Sequence, residues 1–251
     1  IVHRVCIDSR LVEPGDLFVA IEGDSFNGHD FTKHAIDRGA VAALVNGSRV
    51  SRDFGGTKVE VVETRHALGL LASHYRNDFD IPLIAIGGSN GKTTTKEILT
   101  TILRQRFRTL CSEASFNNEI GVPLTLLRLI EDHQFAIVEI GTNHPGELQS
   151  LLSIACPKYG ILTSIGSEHL EFFGDLEGVL FEEGFLAESL PEDGILFVNG
   201  GIEGLAKLRK RCRATVITVG ESNRSDWIIS SIELSNNGTI FKLISPKGDW
   251  N

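Results

Sequence analysis

Short apolar runs, glycine turns and amphipathic stretches follow one another along the chain, and their spacing predicts the elements. Leu17-Phe18-Val19-Ala20-Ile21 follows the turn residues Pro14-Gly15-Asp16 and predicts a strand. Residues 30–38 predict a helix, and 42–45 and 59–62 predict two further strands. A helix is expected over 64–76, capped by Thr64, with Ala67, Leu70, Leu71 and Tyr75 on one face. Asn77-Asp78-Phe79-Asp80-Ile81-Pro82 interrupts the pattern and places a domain boundary near residue 80.

From residue 83 the rhythm becomes strand, glycine turn, helix. Strands are expected at 83–86, 135–140, 159–165, 195–198 and 215–219, with helices at 93–105 and 202–211. These strands are continuously apolar, as in a parallel sheet covered on both faces. Residues 227–234 and 239–244, joined by Asn236-Asn237-Gly238, predict a β-hairpin. The expected fold class is α/β. A small N-terminal α/β domain spans 1–80, and a central domain with a mostly parallel sheet spans 81–251.

Composition changes this picture little. The 251 residues are 41% hydrophobic and 23% charged, enough for one large or two small cores. No apolar run approaches the ~18 residues of a membrane helix, and Ile1-Val2-His3-Arg4 does not open a signal peptide. A cytoplasmic protein is expected. The net charge of -9 argues against a broad nucleic-acid-binding face. It does not bear on a single nucleotide, which backbone N–H groups can hold locally. Cys6, Cys111, Cys156 and Cys212 have no metal-ligand spacing and read as reduced, packing thiols. The absence of methionine and the loop-like residues 247–251 suggest an incomplete chain.

The strongest chemical signal is Gly87-Gly88-Ser89-Asn90-Gly91-Lys92-Thr93-Thr94 between an expected strand and an expected helix. That context makes it a phosphate-binding loop. Glycines let N–H groups turn toward phosphate oxygens, and the helix N-terminus adds partial positive charge. Lys92 is placed to reach β- and γ-phosphates, and Thr93 to ligate magnesium. The loop Gly88, Ser89, Asn90, Gly91, Lys92, Thr93 and Thr94 is thus the candidate ATP site. Its spacing departs from the common pattern, because Ile86 stands where a glycine is usual. In a parallel sheet, ligands sit beyond the carboxyl ends of the strands. Glu139 closes one expected strand and is a hard oxygen donor, and His169 follows another. The remaining histidines carry no signal of their own.

These residues belong to a wider pattern that resembles the Mur ligases, ATP-dependent amide-bond-forming enzymes of peptidoglycan synthesis. Five segments carry the resemblance: Asp8-Ser9-Arg10 with 15–20, residues 23–31, the loop 88–94, Phe116-Asn117-Asn118-Glu119-Ile120-Gly121-Val122-Pro123, and 139–147 with 165–174. Asn143-His144-Pro145-Gly146-Glu147 is most similar to the branch that joins D-alanyl-D-alanine to UDP-N-acetylmuramoyl-tripeptide. Another amide ligase of this group, such as a polyglutamate-type synthase, and a non-catalytic nucleotide-binding fragment remain as alternatives.

The resemblance implies a domain for the UDP end, a central ATPase domain, and a C-terminal Rossmann-like domain absent from these residues. It implies an acyl phosphate formed on the tripeptide carboxylate and then displaced by the dipeptide amine. It assigns Lys92, Glu139, His169, Asn117 and position 183 to catalysis. Magnesium ligation falls to Thr93, Glu139 and His169, with Asn118 shaping the cleft. Ser9, Arg10, Asn27, Gly28 and His29 fall where the family meets the UDP end. No nucleic acid or membrane partner is expected, and the chain is expected to be a monomer. One departure stands out: the family usually has a CO2-carbamylated lysine where this chain has Glu183. The expectation is that the Glu183 carboxylate takes the place of that carbamate.

Overall fold

The computed structural model describes residues 1–23, 26–50, 55–236, 238–246 and 248–250. Asp24 and Ser25 of the 23–31 segment lie outside the described residues, as do Asn237 of the expected hairpin turn and Lys247 and Asn251 of the expected terminal loop. The strands are β1 Arg4–Cys6, β2 Asp16–Val19, β3 Ala42–Asn46, β4 Lys58–Val61, β5 Leu83–Gly87, β6 Thr109–Cys111, β7 Phe135–Glu139, β8 Tyr159–Leu162, β9 Ile195–Asn199, β10 Thr215–Gly220, β11 Trp227–Ser235, β12 Gly238–Ser245 and β13 Gly248–Trp250. The helices are α1 Thr32–Asp37, α2 Thr64–Arg76, α3 Lys92–Leu103, α4 Gly121–Leu126, α5 Glu147–Ala155, α6 Leu170–Phe173, α7 Leu176–Ser189 and α8 Leu205–Arg211. They form two compact units, Ile1–Phe79 with Glu119–Ile130, and Asp80–Asn118 with Glu131–Asn251.

The first unit is a parallel sheet in the order β1-β2-β3-β4. Successive strand residues face opposite sides, so two cores form. Phe18, Ala43 and Val45 pack with Ala35 of α1 on one face. Leu17, Val19, Ala42 and Leu44 pack with Leu68 of α2 on the other, joined by Ile120, Leu124 and Leu127. The 119–130 segment thus returns to this unit, which a single cut near residue 80 does not anticipate. Its register is reinforced by the Tyr75 hydroxyl, which donates to Leu129 O at 2.9 Å, and by an Arg65–Glu119 ion pair.

Two expectations about α2 change. Its buried stripe is Leu68 and Ala72 flanked by Ala67 and Leu71, whereas Leu70 is 58% exposed. Its cap is Glu63, not Thr64: the Glu63 carboxylate accepts from Arg65 N–H at 3.0 Å and from His66 N–H. A carboxylate there also meets the positive end of the helix dipole. Glu63→Ala is expected to destabilise the first unit by about 1 kcal/mol, the usual loss on removing a helix cap. Chemical denaturation checks it, and no loss would exclude the capping role.

The second unit is a nine-stranded sheet in the order β13-β12-β11-β10-β9-β8-β5-β7-β6. The strands from β6 to β11 run parallel, and β11-β12-β13 are antiparallel. Residues 248–250 therefore extend the sheet instead of forming the expected loop. β5 lies between β7 and β8, with Ile86 opposite both Glu139 and Ile161. This register brings three strand ends together at the switch point of the sheet, where α/β proteins place ligands. Ile86 is fully buried inside β5, which explains why the loop motif lacks a glycine there. β8 stops at Leu162, three residues before expected, and α8 begins at Leu205 rather than 202. The short β1 and β6 were not expected from the pattern.

Cys6 and Cys111 are buried and fit the packing role, whereas Cys156 is exposed and Cys212 half-buried; all four are free thiols. Among the described residues, no helix is long and apolar enough to cross a membrane.

Candidate functional site

β5 ends at Gly87, the chain turns through residues 88–91, and α3 begins at Lys92. Gly88 has φ +110°, and a Cβ there would lie 2.5 Å from Thr163 Oγ1 and 2.9 Å from Ser164 N. Only glycine fits both demands. The segment after β8 holds the loop from one side. Ser89 N–H donates to Ser164 O at 2.9 Å, Asn90 N–H to Ser164 Oγ at 2.8 Å, and Gly166 N–H to Ser89 Oγ at 2.8 Å. This is why β8 ends early: Thr163 N–H makes a last bond to Gly87 O of β5, and residues 164–166 bond the loop.

Lys92 Nζ lies over the loop, 2.6 Å from Gly88 O and 3.0 Å from Ser89 O. Thr93 Oγ1 donates to Glu139 Oε2 at 2.9 Å, and Asn117 Nδ2 donates to Glu139 Oε1 at 2.9 Å. Glu139 is buried, so both oxygens are satisfied by protein donors. Its N–H donates to Ser112 Oγ at 2.9 Å, which fixes the strand end. The cavity here is about 130 Å³ and is lined by Lys92, Asn117, Asn118, His169, Glu182 and Glu183 among others. His169 is half-buried on its wall, in a left-handed conformation at φ +52° before α6. The structure therefore brings Lys92, Asn117, Glu139, His169 and Glu183 into one place.

The Glu183 carboxylate is buried and accepts the Gly88 N–H at 2.8 Å. Burial raises it to about 7, against the opposing pull of Lys92 and of the Gly88 N–H. Its neighbour Glu182 is also buried and accepts from Gly146 N–H at 2.9 Å and Leu148 N–H at 3.1 Å, at the start of α5. Glu147 closes the same turn, accepting from Asn143 N–H at 2.8 Å and His144 N–H at 3.1 Å. Burial opposes ionisation of Glu147, but these bonds outweigh it and leave its carboxyl below the usual range.

The sequence reading missed Glu182, Ser112 and Lys96. Lys96 is fully buried one turn after Lys92, donates to Ser112 O at 3.0 Å, and stands 4.0 Å from Glu139 Oε2. Its spacing of four from Lys92 was the available signal.

The first unit carries a second cavity, of about 770 Å³, lined by Ser9, Arg10, Gly28, Phe26, Phe31 and His34 among others. His34 Nδ1 lies 3.0 Å from Ser9 Oγ. Arg10 forks onto Asp8 and holds that carboxyl down at about 2. Gly28 presses on Ile21, where a Cβ would sit 2.7 Å from the backbone. Asn27 and His29 are bonded to each other and to the sheet. Asn46 N–H donates to His29 Nε2 at 2.9 Å, so Nδ1 carries the ring proton and donates to Asn27 Oδ1 at 2.7 Å. Burial lowers His29, in keeping with a neutral ring.

A glycine loop between strand and helix, with a carboxylate at the adjoining strand end, defines a phosphate-loop α/β protein. The chain belongs to the Mur ligase family: residues 1–76 match its catalytic domain and residues 86–250 its middle domain. It is 35% identical over 246 residues to UDP-N-acetylmuramoyl-tripeptide--D-alanyl-D-alanine ligase of Escherichia coli, covering 97% of this chain and 54% of that protein. The crystal structure of MurF from Acinetobacter baumannii superposes with a TM-score of 0.91 at 32% identity, covering 98% of this chain and 54% of that one. The MurF ligase of Thermotoga maritima in complex with ADP gives 0.87 at 28% identity, covering 98% and 57%. The chain thus spans about half the length of the relatives it matches.

Proposed function

We propose that this chain carries the nucleotide-binding and UDP-substrate-binding parts of an ATP-dependent ligase of peptidoglycan precursor synthesis. The ligase joins UDP-N-acetylmuramoyl-tripeptide to D-alanyl-D-alanine. The observation that carries the reading is the Thr93–Glu139 contact of 2.9 Å beside the phosphate loop.

The N–H groups of Gly91, Lys92 and Thr93, at the N-terminus of α3, receive the phosphates. Lys92 neutralises charge on the transferred phosphoryl group. The tripeptide carboxylate attacks the γ-phosphorus as the bond to ADP breaks, giving an acyl phosphate. The dipeptide amine then forms the amide and phosphate leaves. Thr93 and Glu139 offer one hydroxyl and one carboxylate, a donor set that suits magnesium, which takes its other ligands from phosphates and water. No group of three or more acidic, His or Cys side chains placed to hold a metal occurs among the described residues. Bound there, magnesium would offset the phosphate charge. Asn117 fixes the orientation of Glu139, and His169 is the proposed ligand of a second ion.

Glu183 supplies a carboxyl group where the family has a carbamylated lysine, and it acts on the loop through Gly88. The 770 Å³ cavity of the first unit, with Ser9, Arg10 and Gly28, is the proposed seat of the UDP end. The site lies within a cytoplasmic, monomeric protein in this reading. A coupled phosphate-release assay on the whole protein tests it. Release that requires both the UDP-muramoyl-tripeptide and D-alanyl-D-alanine, and that is indifferent to added bicarbonate, is expected. Release without the dipeptide would overturn the ligase reading, and strong dependence on bicarbonate would overturn the role of Glu183.

A further inference from the structure

Helix α7 carries two adjacent buried glutamates, and neither is explained by packing. A core position has no use for a carboxylate, and burying one without partners is costly. Each is instead satisfied by backbone N–H groups on a different loop. Glu183 reaches Gly88, the first turn residue after β5. Glu182 reaches Gly146 and Leu148, in the turn that follows Glu139 and opens α5. Consecutive helical residues point about 100° apart, so one helix can serve both directions. Ser89, next to Gly88, and Thr142 and Asn143 of the strand-end turn border the cavity that Lys92 and Asn117 line.

We propose that Glu182 and Glu183 are positioning residues that tie the phosphate loop and the strand-end turn to one helix, setting the width of the nucleotide cleft. The proposal rests on the nucleotide reading above. Gly88 N–H, held by Glu183, turns away from a phosphate and braces the loop from behind. Ser164 holds the Ser89 and Asn90 N–H groups in the same way, so the amides of Gly91, Lys92 and Thr93 are presented as a fixed set and less ordering is left for binding to accomplish. Fixing the turn through Glu182 holds Thr142 and Asn143 at the facing wall.

The test is binding of ADP with magnesium chloride to the 251-residue chain by calorimetry, with folding checked by circular dichroism. Glu183→Gln and Glu183→Leu both remove the charge, but only glutamine keeps an oxygen that can accept the Gly88 N–H. The glutamine variant is expected to bind about tenfold more tightly than the leucine variant, the worth of one buried hydrogen bond. Pairing Glu182→Leu with Glu183→Leu is expected to lose less than the two single losses combined, because both act through one cleft geometry. Equal binding by the glutamine and leucine variants overturns the proposal, as do strictly additive losses. Should the leucine variant not fold, amide exchange at residues 88–91 of Glu183→Gln, with and without ADP, takes its place. Protection as strong as in the unchanged chain supports the tie, and loss of protection despite the retained acceptor overturns it. Failure of the unchanged chain to bind ADP would instead refute the nucleotide reading itself.

Discussion

Replacing Lys92 with methionine is expected to weaken binding of magnesium–ATP by about two orders of magnitude and to slow phosphoryl transfer by at least as much, the range seen when one preorganised charge donor is removed. The ammonium stands over the loop at 2.6 Å from Gly88 O and beside the Glu183 carboxyl, where incoming phosphates would meet it. Methionine keeps the unbranched shape and the helix propensity of lysine and is one atom shorter, so α3 should form unchanged. Thermal stability is therefore expected to hold while affinity collapses. Lys96, one turn further on, provides the contrast. It is fully buried and bonded to Ser112 O, so its loss acts through the fold. Fluorescent-nucleotide titration of Lys92→Met, with a melting curve alongside, separates the two. Affinity within threefold of the unchanged chain would remove Lys92 from the phosphate site.

The phosphate loop and Glu139 were legible because their signals are local. A glycine turn between an apolar strand and a helix has few other uses, and a glutamate closing a buried strand must be paired. Ile86 was legible only as a departure; the structure turns it into a reason, since that position lies within β5. Other features depend on contacts far apart in sequence. Glu119–Ile130 returns to the first unit because Ile120, Leu124 and Leu127 complete the face built by Leu68, and no periodicity over six helical residues reveals that. Asn27 and His29 match the family pattern, but the bond from Asn46 N–H to His29 joins residues seventeen apart and has no local signal. Glu182 has no local signal, because its partners Gly146 and Leu148 lie more than thirty residues away.

Glu183 makes the second large effect a matter of pH. Its carboxyl stands near 7 in the folded chain and has an ordinary value of 4.5, with burial the dominant cause and Glu182 and Glu168 adding to it. The folded state therefore keeps a proton that the unfolded chain releases between those values. Stability from this group is fully present below about 4.5 and is lost as pH rises through about 7. The interval corresponds to at most about 3 kcal/mol. Glu183→Gln carries no titrating proton and keeps an acceptor for Gly88, so it should escape the loss. The glutamine variant is expected to gain on the unchanged chain steadily from pH 5 to pH 7 and to level off by pH 8. Trp227 belongs to the second unit and the first unit contains no tryptophan, so tryptophan fluorescence follows the unfolding of the unit that contains Glu183. Urea titrations at intervals across that range give the difference directly. A difference independent of pH would mean that Glu183 is already ionised in the folded chain, held by Lys92 and the Gly88 N–H strongly enough to overcome its burial.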